Sequence, residues 1–313
     1  MVKTSSMGDV VHALPAVSDL LAQQPQWQVD WLVEKPFAAI PALHPGVRQV
    51  FPLAWRKWRQ QLLNADTWRT MRDFRRALRA QPYDLVLDLQ GLLKSALWGL
   101  QARGPLCGYD RHSARESPVG LLYDRGAKVP KTLQAVERNR RLMAAHIGYA
   151  MPATPAQFGI QAPAGSWMPT GAYAVLIPCA SRPEKLWPEE RWVAVGQRLQ
   201  RAGYAPVLMW GSPDEQARAE RIAAACGGLV PPFLSVHDSA AVLGRGEVVV
   251  GLDTGFSHLA AALGRPVIGI YRDHDPGLAG LTGPGCVLSL GGKGEDVPLA
   301  GVLGLLDTLL ATR

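Results

Sequence analysis

The sequence predicts two doubly wound α/β units, each a parallel sheet with helices on both faces. Three observations support this prediction. Apolar segments of strand length recur along the chain, and segments with helical periodicity separate them. A segment rich in proline and glycine divides this alternation near its middle. At 313 residues, the chain is long enough for two domains of about 150 residues.

The strand-like segments are nearly continuous in apolar residues, as expected of parallel strands with both faces covered. They are 29–33, 47–51, 84–89, 172–178, 206–210, 247–253, 266–271 and 286–290. Helical periodicity is clearest in 10–24 and in 189–203, which ends at a glycine. Because ligands bind at the carboxyl ends of strands in such sheets, we expect functional residues directly after the strands.

The segment 151–172 has the composition of an interdomain linker, with four prolines and three glycines. We therefore predict an N-terminal domain of residues 1–160 and a C-terminal domain of residues 161–313. In this arrangement, the two sheets face each other across a cleft. The last helix is a candidate to pack back on the N-terminal domain.

The composition, 48% hydrophobic and 19% charged, is that of a globular protein. No apolar segment approaches the roughly 18 to 20 residues of a membrane span, and the N-terminus lacks the pattern of a signal peptide. We therefore expect a cytoplasmic protein. The four cysteines are widely scattered without CxxC spacing, so no zinc or redox site is predicted.

The net charge of +7 is concentrated in the first half, where 21 Lys and Arg face 12 Asp and Glu within residues 1–160. Much of the excess lies in 55–80, where Trp68, Met71, Phe74 and Leu78 form an apolar stripe. This segment is either a helix with a solvated basic face or a landing site for an anionic lipid or sugar phosphate. Nucleic acid is not expected, because neither a sheet motif with stacking aromatic residues nor a helix-turn-helix supports it.

Two strand–turn–helix segments carry candidate chemistry. In 3–15, Asp9 follows the turn at Gly8; it either only caps the helix or acts as a general base. In 252–266, Asp253 ends a strand, and the helix that follows offers free N–H groups to a diphosphate. The alternative is a tight turn with a packed histidine. Lys185, in a loop after another strand, could add a positive charge to the phosphate site.

Several common motifs are missing from the sequence. There is no GxGxxG after the first strand, which argues against a nicotinamide-dependent dehydrogenase. The P-loop, the GxSxG nucleophile elbow and the HExxH metalloprotease motif are also absent.

Five segments, taken together, resemble the bacterial lipopolysaccharide heptosyltransferases, in the branch called heptosyltransferase I. They are KTSSMGDVVHALPA at 3–16, VLDLQGLLKSA at 86–96, QAVERNR at 134–140, WPEERW at 187–192 and LDTGFSHLAAALGRP at 252–266. The resemblance implies a GT-B glycosyltransferase with two Rossmann-like domains. The N-terminal domain would bind the acceptor and the C-terminal domain the ADP-heptose donor.

The resemblance also implies roles for individual residues. Asp9 matches the catalytic base. Donor binding is implied for Ser181, Lys185, Glu215, Leu234, Asp253, Thr254, Gly255 and His258. Contact with acceptor phosphates and carboxylate is implied for Arg56, Lys57, Arg59 and Arg115. Two positions depart from the family pattern: Ala180 often carries a threonine, and Arg272 stands where glycine is usual.

The implied reaction transfers L-glycero-D-manno-heptose from ADP-heptose to the first Kdo of Kdo-lipid A, with inversion, at the cytoplasmic face of the inner membrane. We expect no metal cofactor, although Mg²⁺ could still modulate the rate. One alternative is a heptosyltransferase of the other branch, or a related sugar-nucleotide transferase with a different acceptor. Another is a non-catalytic protein that binds nucleotide sugars or glycolipids.

Overall fold

The computed structural model describes residues 1–311. It divides into two compact units, the first comprising Met1–Gly159 and the second beginning at Ile160. This division lies one residue from the predicted boundary. No helix within residues 1–311 combines the length and the apolar character that a membrane span requires.

The first unit is a parallel α/β sheet with helices before and after its strands. Its strands are β1 (Val29–Glu34), β2 (Val47–Leu53), β3 (Val86–Leu87), β4 (Leu106–Tyr109) and β5 (Arg125–Ala127). Its helices are α1 (Met7–Val11), α2 (Leu14–Gln23), α3 (Ala39–Ala42), α4 (Trp55–Trp58), α5 (Ala65–Leu78), α6 (Leu93–Gly99) and α7 (Ala135–Ile147).

The N-terminal residues hold this unit's sheet together. β1 pairs with β2, and β3, β4 and β5 form a second parallel ladder. Val2 lies between the two ladders and forms parallel bridges with Leu32 of β1 and with Asp88. The sheet therefore runs β2, β1, residues 1–4, β3, β4 and β5, and the strand order reverses beside the N-terminal segment.

The second unit contains one parallel sheet in the order β10-β9-β8-β6-β7. Its strands are β6 (Tyr173–Ile177), β7 (Ala205–Leu208), β8 (Val249–Leu252), β9 (Val267–Tyr271) and β10 (Val287–Gly291). Its helices are α8 (Glu189–Arg201), α9 (Pro213–Cys226), α10 (Val236–Leu243), α11 (Gly255–Ala262), α12 (Pro276–Ala279) and α13 (Leu299–Ala311). The order reverses between β6 and β8, which is where ligands bind in such sheets.

Helix α13 buries one face in the core of the second unit. Val302, Leu306 and Leu309 belong to the hydrophobic cluster around β8 and β9. The sequence left open whether this helix packs back on the first domain, and its buried residues are accounted for within the second unit.

Two sequence predictions about helices in the first unit were wrong in detail. The helix expected over 10–24 is interrupted, so that α1 ends before α2 begins. The helical segment expected over 55–80 is likewise two helices, because a turn separates α4 from α5. Asn64 caps α5 by accepting a 2.8 Å hydrogen bond from the Asp66 N–H. The predicted apolar stripe of α5 is buried only at its end, since Leu78 is 4% exposed but Trp68 is 53% exposed.

Two strands of the first unit were missed. β4 and β5 are three or four residues long, and each contains a glycine. A strand this short shows no periodicity of its own, so only its neighbours in the sheet identify it.

The loop between β6 and α8 is fixed by side chains of the second unit. Trp187 is fully buried, and its indole N–H donates a 2.8 Å hydrogen bond to the Val297 carbonyl. Arg218 of α9 donates to the carbonyls of Pro178 and Trp187, near the two ends of the loop. Lys185 therefore projects from a loop whose path is fixed on both sides.

Candidate active site

Lys185 and Asp253 meet at the carboxyl edge of the second sheet. Lys185 lies in the loop after β6, and Asp253 directly follows β8, the neighbouring strand across the reversal of strand order. Lys185 Nζ lies 2.5 Å from Asp253 Oδ2 and 3.0 Å from the Asp253 carbonyl oxygen. An ammonium group has three N–H donors, so one remains for a ligand.

The carboxylate of Asp253 is buried, and both of its oxygens have a hydrogen-bond partner. Its side chain is 9% exposed, and His258 Nε2 lies 3.2 Å from Oδ1 while Lys185 holds Oδ2. Burial raises the pKa of Asp253, but the hydrogen bonds and positive charges of His258 and Lys185 outweigh it and hold this pKa far below its ordinary value. Asp253 therefore stays ionised and fixes both partners.

The start of helix α11 presents backbone donors next to this pair. Thr254 is the N-cap residue, and Gly255 is the first residue of the helix. The first N–H groups of a helix have no partner within it, and the helix dipole favours an anion there. The hydroxyl of Ser257, in the first turn of α11, is turned inward and donates to the Leu252 carbonyl at 2.6 Å. The Thr254 hydroxyl is buried without a hydrogen-bond partner in the described chain.

Asp273 and His274, which the sequence analysis missed, lie beside Asp253. His274 Nδ1 is 2.8 Å from Asp273 Oδ1 and 3.6 Å from Asp253 Oδ2. These three side chains could bring ligand atoms within 4.8 Å of one another, as a metal site requires. However, Lys185 lies 3.7 Å from Asp273 and Arg182 also pairs with it, so cations already balance the charge. The available signal was that Asp273 lies just after the predicted strand 266–271, much as Asp253 ends the predicted strand 247–253.

The remaining predicted donor residues lie in separate loops of the second unit. Ser181 is exposed in the loop after β6. Glu215 lies in the first turn of α9, where its Oε2 accepts a 2.8 Å hydrogen bond from the Gly211 N–H. Leu234 is 8% exposed and precedes α10. Of these three, the carboxylate of Glu215 already stabilises the start of its own helix.

Asp9 lies in the first unit, on helix α1, just after the central N-terminal segment of the sheet. Its Oδ2 accepts a 2.9 Å hydrogen bond from the Ser6 N–H and lies 3.6 Å from Arg115 Nη1. The sequence analysis left open whether capping is its whole role, and the contact with Ser6 shows that it does cap. Among residues 1–311, no hydrogen bond reaches its other oxygen, Oδ1, and the side chain is 28% exposed.

The charge of Asp9 is stabilised by its surroundings. Burial raises its pKa, but the positive charge of Lys3, the Ser6 N–H and the charge of Arg115 together hold the pKa below its ordinary value. Lys3 is itself buried and donates a 2.9 Å hydrogen bond to the Leu89 carbonyl. The result is an ionised, partly exposed carboxylate on a fixed backbone.

The predicted acceptor residues are exposed but do not form one cluster. Arg56 and Lys57 line a cavity of about 950 Å³ that Glu34 also lines. Arg59 is exposed just beyond α4, while Arg115 lies beside Asp9. Glu34 was missed by the sequence analysis. It is 3% exposed, with Oε2 unpaired in the described chain, and burial raises its pKa despite the charge of Arg56.

Comparison with known proteins decides the family. The family model of glycosyltransferase family 9 (heptosyltransferase) matches residues 71–290. Lipopolysaccharide heptosyltransferase 1 of Escherichia coli (strain K12) is 43% identical over 284 residues, covering 90% of this chain and 89% of the relative. The chain belongs to glycosyltransferase family 9.

Two solved structures of heptosyltransferases share the fold of this chain. The structure of E. coli heptosyltransferase WaaC with ADP-2-deoxy-2-fluoro heptose superposes with a TM-score of 0.89 at 38% identity, covering 98% of each chain. E. coli ADP-heptose lps heptosyltransferase II shares the fold, with a TM-score of 0.77, 22% identity and coverage of 99% of this chain and 98% of that one. The predicted family, α/β fold class and heptosyltransferase class of enzyme are therefore confirmed.

Proposed function

We propose that this protein transfers L-glycero-D-manno-heptose from ADP-heptose to the first Kdo of Kdo-lipid A during assembly of the lipopolysaccharide inner core. The observation that carries the proposal is the similarity over 90% of the chain to lipopolysaccharide heptosyltransferase 1. The heptosyltransferase II structure is only 22% identical, which favours this branch over the other. The ionised Asp9 and the Lys185–Asp253 pair give the chain the groups that such a transfer needs.

The first unit supplies the base in this proposal. Asp9 Oδ1 accepts the proton of the Kdo hydroxyl while the hydroxyl oxygen forms a bond to the anomeric carbon of heptose. The bond from that carbon to the diphosphate breaks on the opposite face, so the configuration inverts. Positive charge develops on the sugar ring, as in other glycosyl transfers, and ADP leaves with the bonding electrons.

The second unit stabilises the leaving group in this proposal. The free N–H of Lys185 and the backbone donors at Thr254 and Gly255 bind the diphosphate, where negative charge increases as the bond breaks. Asp253 and His258 position Lys185 without touching phosphate. Ser181, Glu215 and Leu234 would contact the rest of the nucleotide.

We further propose that the reaction needs no metal. A divalent cation commonly neutralises a departing diphosphate, and here Lys185 and the start of α11 do so. Lys185 and Arg182 also pair with the carboxylates of the Asp253–Asp273–His274 group, which disfavours a dication between them. Addition of EDTA should leave the rate unchanged, whereas a loss restored by Mg²⁺ would contradict this proposal.

The acceptor is expected at the cytoplasmic face of the inner membrane. Arg56, Lys57, Arg59 and Arg115 would meet its phosphates and carboxylate, as the excess of positive charge in the first unit suggests. The deciding experiment measures ADP release with ADP-heptose and either Kdo-lipid A or an acceptor that already carries heptose. Turnover with Kdo-lipid A alone supports the proposal. Turnover only with the heptosylated acceptor supports the other branch, and binding without turnover supports a non-catalytic protein.

A further inference from the structure

Helix α6 turns an apolar face to solvent. Leu93, Leu97 and the C-cap residue Leu100 are spaced by four and three residues, and Leu100 keeps the helical backbone conformation, which places all three on one side of the helix. They are 40%, 54% and 42% exposed, respectively. Single exposed leucines are ordinary, but a row of three on one helix face indicates an interaction surface.

A pocket of about 470 Å³ lies beside this face, within the range of roughly 300 to 1,000 Å³ that is typical of ligand sites. Trp55, Trp68, Met71, Leu97 and Trp98 give it apolar walls. Within this wall, Trp98 packs edge-on against Trp55, with ring centroids 5.8 Å apart.

Trp68 extends this apolar surface toward solvent. Its side chain is 53% exposed, but its indole N–H already donates a 2.7 Å hydrogen bond to the Leu62 carbonyl. The exposed part of the ring is therefore apolar. Leu62 and Leu63 beside it are also exposed, by 41% and 105%. Tryptophan with aliphatic neighbours is typical of residues at a membrane–water interface.

The charges on helix α5 differ between the pocket and the rest of the helix. Arg69 and Arg76 pair with aspartates three residues earlier, at 3.2 Å from Asp66 and 3.1 Å from Asp73.

At the pocket rim, by contrast, Arg72 and Arg75 have no hydrogen-bonded or ion-paired side-chain partner within residues 1–311. Two free guanidinium groups beside an apolar pocket complement a phosphate attached to an acyl chain.

We propose that the exposed faces of α5 and α6 form a membrane-docking surface for an acidic phospholipid bilayer. Trp68 and the α6 leucines enter the acyl boundary, the pocket takes one acyl chain, and Arg72 and Arg75 bind phosphate. A bilayer is favoured over a single lipid ligand because the apolar surface extends well beyond the pocket. This inference rests on the proposed function in one respect, namely that the acceptor is embedded in a membrane.

The position of the docking surface suits such an acceptor. Lys94, at the pocket rim, donates a 3.1 Å hydrogen bond to Ser5 Oγ, four residues before Asp9. A membrane held at this surface therefore lies on the side of the first unit that carries the base. An apolar contact combined with a basic cluster gives stable but reversible binding, which neither provides alone.

Vesicle co-sedimentation tests the proposal, using phosphatidylcholine vesicles with and without phosphatidylglycerol. The wild-type protein should bind the acidic vesicles. Arg72→Gln with Arg75→Gln should weaken binding roughly twentyfold at low salt, and Trp68→Ser with Leu97→Ser should weaken it by about tenfold or more. The matched control, Arg69→Gln with Arg76→Gln, removes the same charge from the same helix and should change binding less than about threefold.

Three outcomes would overturn the proposal: no binding of the wild-type protein to acidic vesicles, equal effects of the two arginine pairs, or a change in the lipid-free sedimentation coefficient of the Trp68 and Leu97 variant. The last result would show that the surface binds a second copy of the chain. Turnover of a Kdo acceptor without acyl chains separates this inference from the proposed function. The docking variants should keep wild-type kcat with it. If no acceptor turns over but vesicle binding still depends on Arg72 and Arg75, only the proposed function fails.

Discussion

Asp9 and Asp253 occupy equivalent places in the two units, but they differ in whether a carboxylate oxygen remains free to bind a ligand or a proton. Each follows a central strand segment at the point where strand order reverses, and each lies at the start of a helix. Both oxygens of Asp253 are bound, one by His258 and one by Lys185. Asp9 has a free oxygen and three times the side-chain exposure, 28% against 9%.

The difference teaches that an equivalent position in the fold does not determine a residue's role. A carboxylate with both oxygens occupied and little exposure holds its partners in place. A carboxylate with one oxygen fixed and one free is positioned and can still accept a proton. We therefore propose catalysis for Asp9 and positioning for Asp253.

The largest expected effect is on turnover by Asp9→Asn. The substitution keeps the size of the side chain but removes the base, and a general base commonly contributes about 10²- to 10⁴-fold to the rate. We expect kcat to fall by that factor, with little change in the Kd for ADP-heptose. Steady-state kinetics and calorimetric titration of the donor measure the two quantities.

The proposed division of roles, with Asp9 as base and Asp253 as positioning residue, is wrong if Asp9→Asn retains near-wild-type kcat. Thermal unfolding provides the control, since Asp9 is partly exposed and its loss should cost little stability. A large drop in Tm together with the loss of kcat would indicate a structural role instead.

Asp253→Asn should show the opposite pattern. It removes the nearer of the two carboxylates that pair with Lys185 in a poorly hydrated site and leaves only Asp273, 3.7 Å away. Breaking a buried ion pair typically costs about 3 to 5 kcal/mol. We expect the free energy of unfolding to fall by that amount in urea titration and the donor KM to rise. Because the pKa of Asp253 is depressed in the folded protein, the loss in free energy of unfolding should be largest above about pH 4. It should shrink as the pH falls further and the carboxylate of the wild-type protein becomes protonated.

An unchanged free energy of unfolding for Asp253→Asn would remove the distinction between the two aspartates. Lys185→Met provides a matched test, because it removes the other member of the pair and should also raise the donor KM. Additive losses in the double variant would show that the pair is not coupled.

The sequence identified both aspartates by the same signal, a strand followed by a small-residue turn and a helix. It did not distinguish them, because their environments come from distant segments: Lys185 is 68 residues from Asp253, and Arg115 is more than 100 residues from Asp9. Asp253 and Lys185 were correctly brought to one edge, since parallel strands align their carboxyl ends. The free oxygen of Asp9 depends on side-chain geometry that no spacing encodes.

The α/β fold was predictable because its buried strands are long and apolar. The segments whose structure was predicted wrongly, or missed, are short or exposed. The single helical segment expected over 55–80 is divided by a turn that Asn64 caps, and the apolar stripe did not indicate that Trp68 would be exposed. Exposure of an apolar residue reflects what packs against it, and this information lies outside the segment.

Substitution of the basic residues in and after α4 should have a smaller effect, on the acceptor KM. Arg56→Gln, Lys57→Gln and Arg59→Gln together should raise the acceptor KM about fivefold to tenfold and flatten its salt dependence, because these exposed charges are screened. The donor KM should not change. Kinetics at several salt concentrations measure the effect, with Arg201→Gln on α8 as a control for loss of exposed charge. An unchanged acceptor KM would show that these residues do not meet the acceptor.

The smallest expected effect is on the pH dependence of the reaction. Because the pKa of Asp9 lies below its ordinary value of about 3.9, its base form is fully present above pH 5. We expect kcat/KM to vary less than about twofold between pH 5 and 7. Arg115→Gln removes one of the charges that depress this pKa. It should therefore raise the pKa of Asp9, and only slightly because Arg115 is half exposed.

Carboxyl-carbon NMR titration of Asp9 measures this shift directly. A pKa of Asp9 above 5 in the wild-type protein would mean that burial outweighs the charges of Lys3 and Arg115. The rate would then fall as the pH drops toward that pKa. Asp253 should not titrate between pH 5 and 7, because its hydrogen bonds with Lys185 and His258 stabilise the ionised carboxylate. Asp9 would then bind a proton more readily than Asp253, as expected of the carboxylate that is proposed to accept a proton in the reaction.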